Sequence, residues 1–141
     1  MMKDDRLRVP VDPAYLMSLG QAIYCFASLE WNAVYCGEKL SPGYVYTIAK
    51  KTAGKIANDL AGFADLIADN NKRSRYQAAV REFDRLVDRR NDLVHANPAT
   101  IGCDQRLVRK GTPWQPNDID DLADEFTVCS IELNELFHHI L

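Results

Sequence analysis

Apolar residues recur every three or four positions along four stretches of the chain, each about 23 to 26 residues long, and nothing between them alternates as a half-buried strand would. The pattern predicts four helices. The first runs from about Pro13 to Tyr35, with Leu16, Leu19, Ile23, Phe26, Ala27 and Val34 on one face and Gly37 as its stop. The second opens at Ser41-Pro42-Gly43, a cap residue followed by a proline suited to a first turn. It continues to about Asp69 through Ile48, Thr52, Ile56, Leu60, Phe63 and Ile67. Gly54 and Gly62 weaken it locally, which a closely packed neighbour would accommodate.

The third helix spans about Ser74 to Ala96, with Tyr76, Ala79, Val80, Phe83, Leu86, Val87 and Val94 facing inward. Pro98 stops it, because the residue before a proline avoids helical backbone angles. The fourth begins after Pro116 with Asn117 as cap, and Asp118, Asp120 and Asp121 sit where the helix dipole favours negative charge. Ile119, Leu122, Phe126, Cys129, Leu133, Leu136, Phe137 and Ile140 form its buried stripe. A connection of about 20 residues, Asn97 to Pro116, separates the last two helices and is expected to form a small hairpin or a flap, since long structureless connections are uncommon. The simplest architecture is one all-α domain, residues 1–141, built as an up-and-down four-helix bundle with that insertion.

Composition supports a single core: 141 residues at 47% hydrophobic content need no covalent staples. Cys25, Cys36, Cys103 and Cys129 show no ligand-like spacing and are read as reduced, mostly core residues, so neither a metal nor a cofactor is expected. The start, Met1 to Arg6, lacks the apolar run of a secretory leader, and no apolar stretch reaches the roughly 20 residues of a membrane span, so cytoplasmic residence without a membrane partner is expected. The net charge of -3 hides a division. Residues 71–110 carry ten Lys/Arg against five acids, whereas residues 111–141 carry seven acids and no Lys or Arg. A basic middle can bind an anion locally without making the whole chain a polycation.

The third helix contains an anomaly. At about 100° per residue, Arg90 projects within about 20° of Phe83, in the middle of the apolar stripe. Such an arginine must meet a carboxylate, a phosphate or another subunit. Glu30, in the apolar face of the first helix, offers one partner, and a buried Glu30 to Arg90 bridge would fix helix register. Asp84, Asp88, Asn91 and His95 share a polar stripe beside the apolar face, with Asn91 one turn before His95 and able to orient its ring. Arg90 lies about 140° from His95, so their convergence requires a long arginine arm, fraying near Pro98, or a second copy of the chain.

The run Arg90-Asn91-Asp92-Leu93-Val94-His95 resembles the signature of the HEPN family (higher eukaryote and prokaryote nucleotide-binding domains): an arginine, four to six residues, then a histidine, often with a polar residue after the arginine. The bundle of long helices, the motif late in the third and the insertion before the last match as well. The resemblance implies metal-independent RNA cleavage by a homodimeric toxin or phage-defence effector, with His95 as acid/base group, Arg90 as phosphate binder and Asn91 assisting. Arg89, Arg106, Arg109 and Lys110 would hold backbone phosphates, and Trp114 or Tyr76 would stack a base, while Asp88 and Glu30 support the motif. In many toxin members a tyrosine two residues after the histidine is modified by an antitoxin partner; here Asn97 stands there, which puts that mode of neutralisation in doubt.

Two other readings compete. One is a non-catalytic module of the same fold that binds a nucleotide, RNA or protein, with Arg90 held in a structural ion pair to Glu30. The other is a scaffold whose charge asymmetry drives self-association.

Overall fold

The computed structural model describes residues 6–141. Residues 1–5, on which the expected lack of a secretory leader partly rests, lie outside the described residues. Four α-helices carry the chain: α1 (Pro13–Leu40), α2 (Ala53–Gly62), α3 (Asn70–Val94) and α4 (Pro116–Glu135). Short 3-10 turns at Tyr44–Thr47 and Phe63–Leu66 flank α2, and a π-helical turn, Leu136–Ile140, follows α4. Among the described residues no helix is long and apolar enough to cross a membrane.

Asp12 caps α1 through its carboxylate, which accepts from the Ala14 N–H at 3.0 Å, and Pro13 opens the first turn. The helix does not stop at Gly37. It runs one turn further because Gly37 is a contact point: a Cβ there would lie 2.7 Å from Cδ2 of the Tyr44 ring. The buried face also differs from the expected one. Tyr15, Ser18, Ala22, Phe26, Leu29, Ala33 and Cys36 point inward, whereas Leu16, Ile23 and Ala27 point out. This helix is apolar nearly all round, so periodicity alone does not choose its inner face.

The expected long second helix is broken. Gly43, at φ 96°, turns the chain after α1, and the Glu38 carboxylate accepts from the Gly43 and Val45 N–H groups. Thr52 is the N-cap of α2 rather than a member of its apolar face, accepting from the Lys55 N–H at 3.2 Å. Neither glycine marks a tight approach of another helix: a Cβ at Gly54 would meet only Thr52 Oγ1 at 3.9 Å and one at Gly62 nothing within 4 Å, and Gly62 ends the helix. Asp69, expected as the tail of the second helix, caps α3 instead by accepting from the Lys72 N–H. Gln115, not Asn117, caps α4, with the Asp118 carboxylate accepting the Gln115 N–H at 3.0 Å.

The connection between α3 and α4 is a three-stranded antiparallel sheet, β1 (Asn97–Ile101), β2 (Asp104–Arg109) and β3 (Thr112–Pro113). Asn97 pairs with Val108 and Ile101 with Asp104, around a turn whose Gly102 has φ 61°. Lys110 and Gly111, at φ 51° and 80°, join β2 to β3, the left-handed pair that a type I′ turn requires. Its strands escape periodicity because β1 is exposed on nearly every residue and β3 has two residues.

Phe26 on α1 centres the core, stacked on Phe83 of α3 at 6.3 Å and edge-on to Phe126 of α4 at 5.1 Å. Tyr15 ties α1 to the sheet: its buried hydroxyl donates to the Trp114 carbonyl at 2.8 Å and accepts the Leu107 N–H at 3.0 Å. Tyr15→Phe strands both groups, so urea denaturation should show a loss of about 1–3 kcal/mol. A change below about 0.5 kcal/mol would mean that this hydroxyl does not anchor the sheet. The four cysteines are free. Burial pushes the Cys36 and Cys129 thiols up to about 12, so both are inert at neutral pH, as expected of core residues.

Candidate functional site

The last two turns of α3 set out the motif. Leu93 is buried and anchors the helix end, Arg90 and Asn91 are half-buried, and Val94 and His95 are exposed. His95 is the C-cap, and its backbone N–H donates to the Asn91 carbonyl at 3.0 Å. Among the described residues the side chains of Asn91 and His95 form no hydrogen bond, so the amide does not orient the imidazole in the free chain. Asp88 is exposed one turn earlier.

Arg90 projects into the core as its position requires, but not onto a carboxylate. Its guanidinium carbon sits 4.5 Å from the centroid of the Phe26 ring, and its Nε is buried without a hydrogen-bond partner. The expected Glu30–Arg90 bridge is therefore corrected: the two attract through space, and among the described residues they form no ion pair. Phe26, which sequence reading placed only in the core, is the platform that holds this cation. With Nε sealed in, it is the terminal guanidinium nitrogens, which have no partner among the described residues, that are left to meet an anion.

Glu30 reports the same environment. Burial raises its carboxyl above the usual range, and the Arg90 cation opposes that shift more weakly. A carboxyl whose folded-state pKa is raised favours the folded chain when protonated, and this contribution is lost as pH rises through the folded-state value. Asp59 works the other way: its bond to Lys51, chiefly, holds its carboxyl low, so its contribution is lost on acidification. Comparing Glu30→Gln with wild type cancels Asp59 and isolates Glu30. Denaturation at pH 4 and pH 7 should show the variant gaining on wild type at the higher pH. An unchanged difference would mean that Glu30 is not desolvated.

The proposed phosphate contacts divide between two places. Arg89, Arg109, Lys110 and Trp114 line a cleft of about 590 Å³ between α3, the sheet and α4. Across it stand Asp118, Asp121 and Glu125, an acidic wall that sequence reading assigned only to the helix dipole and to solvent. Arg109 leans on Asp92 at 3.4 Å, and Arg89 stacks over the Trp114 ring at 5.0 Å. Arg106 is elsewhere. It lies over the Tyr15 ring at 4.6 Å, bonds the Gln115 side chain and the Gln105 carbonyl, and pairs with Asp104 at 3.7 Å, which commits it to holding the sheet.

Neither aromatic residue offered for stacking is free to do so. Trp114 is 7% exposed with its indole N–H on the Asp92 carbonyl, and Tyr76 is fully buried with its hydroxyl on the Leu60 carbonyl. Both are packing residues. His95 does not itself line the cleft; Asp92, three residues earlier in the chain, does. Among the described residues no group of three or more His, Cys, Asp or Glu side chains is disposed to hold a metal ion. No protein-family model, characterised protein or solved structure matches this chain.

Proposed function

We propose that the chain is a HEPN-type endoribonuclease that works as a homodimer and cuts RNA through its own 2′-hydroxyl. The observation that carries this reading is Arg90: a guanidinium held on Phe26 with no anionic partner, on the turn that ends in the exposed His95.

The chemistry asks little of the protein. The 2′-oxygen attacks the adjacent phosphorus and loses its proton to one imidazole; the bond from phosphorus to the 5′-oxygen breaks, and that oxygen takes a proton from a second imidazole. The products are a 2′,3′-cyclic phosphate and a 5′-hydroxyl. Two copies of His95 divide the two proton transfers, and Arg90 meets the charge that builds on the phosphate oxygens. The wall of Arg89, Arg109 and Lys110 offers the flanking strand phosphate contacts beside Asp92, three residues before His95, and at the motif itself Asn91 supplies a neutral donor. A toxin or phage-defence role follows from the resemblance, and Asn97 in place of a modifiable tyrosine directs any antitoxin to steric or competitive blocking.

The ion-paired version of the non-catalytic reading loses its basis with the missing Glu30–Arg90 contact. The testing experiment is incubation of a mixed-sequence single-stranded RNA with the purified protein in the presence of EDTA. Products ending in a 2′,3′-cyclic phosphate support the proposal, and intact RNA at micromolar protein rejects it.

A further inference from the structure

α1 carries two apolar faces, and the fold uses one. On the other, Leu16, Met17, Ile23, Tyr24, Trp31 and Tyr35 are all exposed, Met17 and Tyr24 by 65% and 75%. Residues 13–37 contain a single charged side chain, Glu30. We infer that this face is a self-association surface, and that its occupant is the same face of a second copy, packed antiparallel about a two-fold axis.

Four observations select that occupant. The first is area. At roughly 150–250 Å² for a large side chain, the exposed fractions of these six come to roughly 700 Å² per protomer, close to the roughly 800 Å² that each partner of a stable pair buries. The second is charge. A face without cations does not suit a membrane surface or an acidic partner, because interfacial helices rely on Lys and Arg, whereas an uncharged face is complementary to itself.

The third is spacing. Leu16, Gly20, Ile23, Ala27 and Trp31, all exposed, advance by four, three, four and four residues, the spacing of one continuous stripe along a helix. The fourth is size. An isologous antiparallel pairing matches each residue with one whose number completes a constant sum. With the axis between Cys25 and Phe26, Trp31 meets Gly20, Tyr24 meets Ala27 and Ile23 meets Ser28, so the three bulky residues nearest the axis face small ones, while Leu16 and Tyr35 meet at the ends. Gly20 has the room this requires, since a Cβ there meets nothing within 4 Å.

This pairing deepens the dimeric element of the proposed nuclease, while its own basis is α1 alone. A two-fold axis lying in the interface and perpendicular to the helices keeps the same flank of each α1 on one side. Glu30, half-buried beside the exposed stripe, lies on one flank, so the two-fold brings both copies of Glu30 to the same side of the pair. Nine residues separate the level of one Glu30 from that of its mate, about 14 Å along the helices.

The test is mass in solution by light scattering at about 100 μM, with helical circular dichroism as the check on folding. Wild type should run at about 32 kDa, twice the 16.0 kDa chain. Tyr24→Glu and Gly20→Phe should fall to about 16 kDa with unchanged helicity, while Val128→Glu, on an exposed position of α4, should remain dimeric. Where Gly20→Phe does not fold, Tyr24→Glu decides alone. A wild-type dimer that survives Tyr24→Glu overturns this face and leaves the dimeric nuclease standing. A monomeric wild type overturns both.

Discussion

His95→Ala is expected to lower RNA cleavage by about 10²–10⁴-fold, the range lost with a positioned acid/base group. The ring is exposed and makes no side-chain hydrogen bond, and what the helix end uses of this residue is its backbone N–H, which alanine keeps. Unfolding should therefore change by no more than about 0.5 kcal/mol, the usual size for a surface substitution. The companion variant is Arg90→Met. Methionine fills a similar volume and suits the face of Phe26, and no ion pair is broken by the change. Stability should hold within about 1–2 kcal/mol, the scale of a cation over a ring. Cleavage should fall by about 10²–10³-fold, as when one preorganised donor is taken from a transition state. Arg90→Lys should recover little, because an ammonium cannot offer a planar fork. Full activity in either His95→Ala or Arg90→Met, measured on the same RNA, rejects the assignment of the motif.

Phe26→Ala is the substitution expected to do most damage to the fold, about 3–5 kcal/mol by urea denaturation. Phe26 lies between Phe83 and Phe126 where α1, α3 and α4 meet, so its loss opens a cavity bounded by three helices that cannot all collapse inward. It also removes the platform under Arg90. Phe26→Leu separates the two roles: it refills most of the volume at a cost below about 1.5 kcal/mol but offers no ring face. Cleavage by Phe26→Leu should therefore fall further than its stability does. Equal activity in Phe26→Leu and wild type would show that the ring does nothing for the arginine.

The helical framework, though not the sheet, was legible because three of the four helices carry their own signals: the stripe of Ile119, Leu122, Phe126, Cys129 and Leu133 on α4, the stripe of Tyr76, Val80, Phe83 and Val87 on α3, and the Pro13 start of α1. The inner face of α1 was not legible, because both faces are apolar and only tertiary packing distinguishes Tyr15 and Leu29 from Ile23 and Tyr24. The break around α2 lay hidden in side chains that compete with the helix: Thr52 reads as one more apolar-face residue until its hydroxyl is seen capping Lys55. The sheet was hidden for want of alternation.

For the site, the odd placement of Arg90 could be read from helical projection alone. Its partner could not, since Glu30 and Phe26 both lie on the facing helix and only the packed geometry shows the cation choosing the ring. Trp114 and Arg106 illustrate the limit. Aromatic and basic residues in a long connection look like substrate contacts, and here Trp114 anchors the sheet to the Asp92 carbonyl while Arg106 braces it against Tyr15.

The central claim is that the RNA supplies the nucleophile and the chain supplies Arg90 and His95. The most direct measurement follows a short RNA cut at a mapped position and the same oligonucleotide with a single 2′-deoxy sugar on the 5′ side of that bond. The first should be cleaved to a 2′,3′-cyclic phosphate end, and the second should remain intact at that bond. Equal cutting of the two oligonucleotides would contradict it.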